Sequence, residues 1–158
     1  MAFDKAKAFL DAKGFGDRVL TFDVSSATVE LAAKAVGTEP ARIAKSLTFK
    51  VDEKPVMIIF AGDAKVSNPK FKAAFHCKAK MLTPDEVSSL IGHDVGGVCP
   101  FGINPGVTVY LDGSLKRFDT VYPACGNAAS AVRLSIPELE LLSGFDSWVD
   151  VASVPELI

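Results

Sequence analysis

The first third of the chain spaces its apolar residues as amphipathic helices do. Apolar side chains recur every three or four positions over residues 3 to 13, which predicts a helix there. A second helix is predicted between Thr28, a residue type that caps helix N-termini, and Gly37, a residue type that ends helices. A short helical turn at residues 38 to 40 then leads to Lys45, just before an apolar run.

Two apolar runs near the middle of the chain predict neighbouring strands. The first, SLTFKV, covers residues 46 to 51, and the second, PVMIIFAG, covers residues 55 to 62. A short polar segment separates the runs, so we expect an antiparallel hairpin with a tight turn. The second run is apolar on both faces, which predicts a strand at the centre of a sheet.

Capping residues and apolar runs predict the elements that follow the hairpin. Further helices are predicted over residues 68 to 75, 83 to 92 and 135 to 144, the last two opened by capping boxes. Further strands are predicted over residues 107 to 111, 121 to 124 and 131 to 134. Because several strands are joined by turns too short for a parallel crossover, we expect one α/β domain with a mixed or largely antiparallel sheet.

Composition and charge narrow the class of protein. The chain has 158 residues, 49% of them hydrophobic, which predicts a single domain over residues 1 to 158 with one sizeable core. A net charge of −2 excludes a protein that binds nucleic acid through its whole-molecule field. The sequence shows neither an apolar leader nor a run of the roughly 20 apolar residues that a membrane helix needs, so no membrane partner is expected.

The cysteines predict neither a disulfide framework nor a metal site. Cys77, Cys99 and Cys125 are far apart and lack CxxC spacing, and the chain has only two histidines. We therefore expect no cofactor, no metal and a reducing, cytoplasmic location.

The segment from residue 64 to residue 84 is locally basic. It contains five lysines and no acidic residue. A solvated surface is the ordinary explanation of such a run, and a patch that attracts nucleic-acid phosphate is the alternative. Composition leaves both open.

The stretch VGGVCPFGINPG, residues 95 to 106, concentrates glycine and proline around one cysteine. Gly96 and Gly97 lack a Cβ, so a ligand can approach their backbone closely, and Pro100 fixes the chain just beyond them. Such a loop can bind an oxyanion through its amides or an amine through its carbonyls. An ordinary structural turn is the competing interpretation.

Two side chains raise separate chemical hypotheses. Cys99 could be a nucleophile with His93 as its base, but a free cysteine is more often a small buried apolar residue, and no third group is evident that would orient His93. Lys45 either extends its ammonium to solvent or holds an anion at the edge of a cleft.

Five sequence blocks occur together in the order of a known family. They are ARIAKSLTF, FAGD, GGVCPFG, YLDGSL and YPACGN, within about residues 20 to 145. In their order and spacing the chain resembles the YbaK family, which is similar to the editing insertion domain of bacterial prolyl-tRNA synthetase. The resemblance implies helices around a barrel-like, mixed and largely antiparallel sheet. It also implies hydrolysis of the ester that joins a wrong amino acid to the terminal adenosine of transfer RNA.

The resemblance implies roles for particular residues. Lys45 matches the lysine that the family needs for activity, which is thought to contact the phosphate and ribose end of the substrate. Residues 96 to 100 match the GxxxP loop that surrounds the aminoacyl group. Cys99 departs from the proline or serine that other members often have, which puts the identity of the substrate in doubt.

Other matches lie further along the chain or earlier in it. Asp112 matches an aspartate at the end of a later strand, and Gly126 matches a glycine near the terminal nucleotide. Gly62 and Asp63 match a turn that borders the cleft. Asn127, next to Gly126, stands where several members have threonine, lysine or arginine, a second departure at the rim of the pocket.

These matches imply hydrolysis without a covalent intermediate. The amides of Gly96 and Gly97 are expected to stabilise the tetrahedral oxyanion, a ribose hydroxyl or phosphate of the substrate to help activate a water, and Lys45 to anchor the nucleotide end. Pocket volume is expected to select the amino acid, which leaves alanine, cysteine, serine and threonine esters open. The expected walls are Val98, Cys99 and Phe101.

The sequence thus predicts a trans-acting aminoacyl-tRNA deacylase for a small amino acid on a non-cognate tRNA such as tRNA-Pro. Its expected partners are the tRNA acceptor end and, as a second candidate, an aminoacyl-tRNA synthetase. One alternative is a non-catalytic module that binds the acceptor end or an aminoacyl nucleotide. Another is a domain that only docks on a synthetase.

Overall fold

The computed structural model describes residues 2 to 155, in which ten strands and five helices are interspersed along the chain. The strands are β1 (Val19–Thr21), β2 (Ile43–Val51), β3 (Lys54–Ala61), β4 (Lys65–Val66), β5 (Thr108–Asp112), β6 (Thr120–Pro123), β7 (Ser130–Val132), β8 (Leu134–Ser135), β9 (Ser147–Val149) and β10 (Ala152–Ser153). The helices are α1 (Ala2–Ala12), α2 (Val29–Val36), α3 (Asn68–Phe75), α4 (Pro84–Glu86, continued as a π-helical segment over Val87–Ile91) and α5 (Ile136–Ser143). The predicted domain over residues 1 to 158 also includes residues 1 and 156 to 158, which lie outside the described residues.

A curled six-stranded sheet, in the order β8-β6-β2-β3-β5-β9, forms the centre of the fold and is flanked by helices. The predicted hairpin is confirmed, since β2 and β3 pair antiparallel from Ala44–Ala61 to Val51–Lys54. The pair β6–β8 is also antiparallel, whereas β2–β6, β3–β5 and β5–β9 are parallel. The mixed α/β fold is therefore as predicted. Parallel pairs are more numerous than the short turns suggested, because those strands pair with partners distant in sequence.

β3 crosses the middle of the core, as its unbroken apolar run predicts. Every side chain over residues 56 to 61 is apolar and buried. Aromatic rings extend this core towards α3: the ring centroids of Phe49 and Phe71 are 5.0 Å apart, and those of Phe71 and Phe75 are 4.7 Å apart. Such tilted ring pairs contribute packing energy beyond the apolar area they bury. They fix α3 against the sheet.

The predicted helix ends are also present. Thr28 Oγ1 accepts a hydrogen bond from Leu31 N at 3.1 Å, and Gly37 ends α2 with a φ of 85°. Both predicted capping boxes form, at the N-termini of α4 and α5. Among the helices of residues 2 to 155, none combines the length and apolar character needed to cross a membrane.

Lys45 lies within a strand rather than just before one. β2 begins at Ile43 because Ile43 and Ala44 pair with Tyr122 and Pro123 of β6. The short strands β1, β4, β9 and β10 have no counterpart among the predicted elements, since two or three residues are too few to show a periodic pattern.

Candidate active site

A cavity of about 420 Å³ lies between β2 and the elements packed beside it. Its walls come from α2, β2, the start of α4, the loop after that helix, and residues of β6 and β7. Most of the lining is aliphatic, including Val29, Ala32, Ile43, Leu47 and Val87. Cavities of roughly 300–1,000 Å³ with apolar walls and few polar groups are typical small-ligand sites.

Two backbone carbonyls hold the ammonium of Lys45. Lys45 lines the cavity, and its half-buried Nζ donates to Gly62 O at 3.2 Å and to Ala64 O at 2.5 Å. Burial lowers the pKa of Lys45 from its ordinary value of 10.5, while the nearby carboxylates of Asp63 and Glu30 act to raise it. The two carbonyl acceptors hold the ammonium in a fixed position.

Gly62 and Asp63 contribute to the site indirectly, and neither belongs to the cavity lining. A Cβ on Gly62 would lie 2.0 Å from Pro40 O, so only glycine allows this approach to the backbone. Asp63 accepts two hydrogen bonds from Arg117, at 3.0 and 2.5 Å, and this interaction lowers the pKa of the carboxyl group. Asp63 is therefore paired with Arg117, and the carbonyl of Gly62 helps to position Lys45.

Two amides of the glycine loop, residues 95 to 101, are used within the protein. Gly97 N–H donates to Asp94 O at 3.1 Å, and Cys99 N–H donates to His93 Nδ1 at 3.3 Å. The hydrogen bond of Gly97 is evidence against its expected role as an oxyanion donor, because its N–H already has an acceptor.

The amides of Gly96 and Val98 are different. Neither N–H donates a hydrogen bond within residues 2 to 155, and both residues line the cavity. Gly96 has a φ of 98°, a conformation that side chains disfavour. Bonded and unbonded amides therefore alternate along the loop, and the two unbonded N–H groups belong to residues of the cavity wall.

Gly126 and Asn127 pack behind the loop against Gly97, and none of these three residues lines the cavity. Gly126 N–H donates to Gly97 O at 3.0 Å, and a Cβ on Gly97 would lie 2.4 Å from Asn127 N. A Cβ on Gly126 would lie 2.6 Å from Ala2 O, at the start of α1. The side chain of Asn127 accepts from Ala129 N at 3.0 Å, within its own turn. These residues hold the loop in place through close backbone packing.

Cys99 is buried in the core and is not a wall of the cavity, contrary to expectation. Its Sγ donates to Phe101 O at 3.7 Å and lies 3.8 Å from His93 Nδ1. Burial raises the pKa of the Cys99 thiol, and burial lowers the pKa of His93. A neutral, inaccessible thiol is a poor nucleophile, so this geometry disfavours the cysteine-hydrolase alternative.

Three other residues expected at the substrate are instead buried structural residues outside the cavity lining. Pro100 and Phe101 are buried, and the ring of Phe101 stacks on an aromatic ring of α1 at 6.2 Å. Asp112 is 1% exposed, and its carboxylate accepts the backbone N–H groups of Ser114 at 2.8 Å and of Val151 at 2.9 Å. These two hydrogen bonds, one of which caps the turn after β5, account for the aspartate without any substrate contact.

Several cavity residues escaped the sequence analysis. Ser26 and Ser46 line the cavity, and their buried hydroxyls have no hydrogen-bond partner in the part of the chain that the structure describes. The apolar face of α2 was visible in the sequence, but its contact with the cavity depends on tertiary packing. Ser46, directly after Lys45, could have been noticed as a polar residue in an apolar strand.

Over residues 2 to 155, no three or more His, Cys, Asp or Glu side chains are placed to hold an ion.

The mixed α/β fold with its curled six-stranded sheet matches that of YbaK-like editing domains. The chain belongs to the aminoacyl-tRNA editing domain family, whose model matches residues 24 to 142. The resemblance to YbaK-like editing domains is thereby confirmed.

The chain is also similar to particular proteins. The chain is 50% identical over 134 residues to uncharacterized protein YwhH of Bacillus subtilis, covering 84% of this chain and 85% of YwhH. It is 31% identical over 100 residues, 63% of its length, to the proline–tRNA ligase of a Geobacillus species, of which the match spans only 17%. A crystal structure described as a candidate trans-editing enzyme for prolyl tRNA synthetase superposes with a TM-score of 0.86 at 29% identity, covering 96% of this chain and 97% of the other.

Proposed function

We propose that this chain is a trans-acting deacylase that hydrolyses the ester of mischarged aminoacyl-tRNA. The observation that supports it most is that the positioned ammonium of Lys45 and the unpaired amides of Gly96 and Val98 belong to residues lining one cavity of an editing-domain fold. A developing oxyanion requires such preorganised donors.

In the proposed reaction, a water attacks the ester carbonyl of the aminoacyl group. The carbonyl oxygen becomes an oxyanion, which the N–H groups of Gly96 and Val98 stabilise, and Lys45 adds positive charge at the nucleotide end. The C–O bond to the ribose then breaks, and the ribose oxygen takes up the proton that the water releases. The products are the free amino acid and the free tRNA end.

The protein supplies no general base in this scheme. His93 and Cys99 are buried outside the cavity lining, and Asp63 is paired with Arg117. An aminoacyl ester is already an activated acyl donor, so a hydroxyl or phosphate of the substrate is sufficient to help activate the water.

The aliphatic walls support a small, weakly polar acyl group, with alanine, cysteine, serine and threonine as the candidates. Similarity to proline–tRNA ligases supports tRNA-Pro as the acceptor and a synthetase as a partner. The full-length match to a candidate trans-editing enzyme supports action as a separate protein.

The test is a deacylation assay with the purified chain and a panel of mischarged tRNAs, including alanyl-, cysteinyl-, seryl- and threonyl-tRNA-Pro. We expect at least one ester to be hydrolysed well above its spontaneous rate, and prolyl-tRNA-Pro to be spared. Tight binding of tRNA without faster hydrolysis of any ester would instead support a non-catalytic binding module.

A further inference from the structure

A second lysine lies beside Lys45, outside the cavity lining. Lys45 Nζ donates to Ala64 O at 2.5 Å, and the residue after Ala64 is Lys65, which begins β4. Consecutive Cα atoms are about 3.8 Å apart, so the backbone of Lys65 lies close to the Lys45 ammonium. The charge of Lys65 is one of the causes that lower the pKa of Lys45.

The side chain of Lys65 is exposed, and within residues 2 to 155 it has no hydrogen bond or ion pair. Its backbone is fixed nevertheless, because β4 pairs with β10 and places Lys65 opposite Ser153. Lys70, in the same basic segment, differs: its Nζ donates to Asp150 Oδ1 at 3.0 Å and to Ala152 O at 3.1 Å. Lys65 therefore combines a backbone fixed by strand pairing with an ammonium that is available to a ligand.

The acidic groups near this pair do not cancel its charge. Asp63 is already neutralised by two hydrogen bonds from Arg117. Glu30, on the exposed surface of α2, is the other carboxylate whose charge acts on Lys45. With Asp63 paired to Arg117, Glu30 is the carboxylate left to oppose the two ammonium groups of Lys45 and Lys65, and this balance favours an anion at this edge of the cavity.

We propose that Lys65 is a phosphate-binding residue that acts with Lys45 on the 5′-phosphate of the nucleotide bearing the aminoacyl group. The inference rests on the proposed function, which puts the ribose end of the substrate at Lys45. The phosphate is one ribose away from the ester, so it lies outside the cavity when the acyl group is inside. Lysine suits this role because its ammonium binds phosphate as a point charge.

The direct test is a double-mutant cycle between protein and ligand. The probes are 3′-alanylamino-3′-deoxyadenosine and its 5′-monophosphate, whose amide link is not an ester and resists hydrolysis. Dissociation constants are measured by titration calorimetry for the wild type, Lys65→Met, Lys65→Arg and the control Lys72→Met. Lys72 is an exposed lysine of α3 in the same segment.

In the wild type we expect the monophosphate to bind about two- to fivefold more tightly than the nucleoside, the range for a solvent-accessible charged pair. Lys65→Met should remove most of that difference, while Lys65→Arg and Lys72→Met should keep it. Equal phosphate effects in the wild type and Lys65→Met would overturn the proposal. The same loss of the phosphate effect in Lys72→Met as in Lys65→Met would also overturn it, because it would indicate attraction by the overall positive charge of the segment rather than a contact with Lys65.

A second measurement uses intact tRNA. The logarithm of its affinity falls with the logarithm of salt concentration, and loss of one phosphate contact on a single-stranded end should make that slope shallower by about 0.7. An unchanged slope in Lys65→Met would contradict the assignment. These binding results are separate from hydrolysis. If the wild type shows the phosphate effect but cleaves no ester, the phosphate site stands and the deacylase proposal is wrong. If the enzyme cleaves the ester but shows no phosphate effect, the deacylase proposal stands and the phosphate site is wrong.

Discussion

Replacement of Lys45 by methionine would be a sharp perturbation of the candidate site. Methionine keeps most of the aliphatic stem and removes the ammonium that donates to Gly62 O at 3.2 Å and Ala64 O at 2.5 Å. A hydrogen bond to a charged group contributes about 1.5–3 kcal/mol. Because burial also penalises the ammonium, we expect a smaller net loss of stability, about 1–2 kcal/mol.

That loss leaves the protein folded. For a chain of this length it lowers the Tm by about 2–8 °C, and domains of this kind have unfolding free energies of about 5–15 kcal/mol. The expected loss of activity is larger, because Lys45 positions the nucleotide end of the substrate, and a substrate misplaced by about 1 Å can react about 10²-fold more slowly. Lys45→Arg should be intermediate, since it keeps the charge but not the compact ammonium that fits two carbonyls.

The assay is single-turnover deacylation of the best mischarged tRNA by the wild type, Lys45→Met and Lys45→Arg, with the Tm of each protein measured alongside. Lys72→Met, on the exposed side of α3, is the control and should keep full activity. A Lys45→Met enzyme that is folded and hydrolyses the ester within about threefold of the wild-type rate would refute the role of the ammonium.

Three further changes test other parts of the account. Gly97→Ala places a Cβ 2.4 Å from Asn127 N, so thermal denaturation should show a loss of about 1–3 kcal/mol together with reduced deacylation, and a wild-type Tm would contradict the packing argument. Cys99→Ser should lower the Tm, since it buries a hydroxyl, yet leave activity within about threefold; a thousandfold loss at unchanged Tm would revive the nucleophile. Lys50 lowers the pKa of Glu86 from 4.5 to about 2, so the stability of the wild type should fall as the pH drops from 4.5 towards 2. Urea midpoints of Glu86→Gln should lose this part of the pH dependence, and an unchanged pH dependence would contradict the assignment to Glu86.

Local signals in the sequence predicted the elements well. Thr28 and Gly37 bound α2 because capping is decided by neighbouring backbone groups, and the apolar run of β3 predicted its central position. The parallel partners of β2, β3 and β5 were not predictable in the same way. Such pairs join distant segments, and neither spacing nor turn chemistry encodes them.

The candidate site was also predicted in part from local sequence and missed where it depends on the folded chain. The blocks around Lys45 and Gly96 indicated two residues that the fold brings to one cavity. The loop could not be resolved amide by amide from sequence, because the hydrogen bond of Gly97 to Asp94 depends on the folded turn. Cys99 was expected at the cavity because it belongs to the loop that matches the GxxxP motif, but its side chain is buried in the core, where Sγ lies near Phe101 O and His93 Nδ1.

The central claim is that the aminoacyl end of the substrate meets the free amides of this loop. The most direct test is a titration of the ¹⁵N-labelled protein with 3′-alanylamino-3′-deoxyadenosine, followed by amide NMR spectra. We expect the largest saturable shifts at the N–H groups of Gly96 and Val98, and smaller ones at Gly97 and Cys99, whose N–H groups are already bonded. Saturable binding that leaves Gly96 and Val98 unshifted would contradict the account.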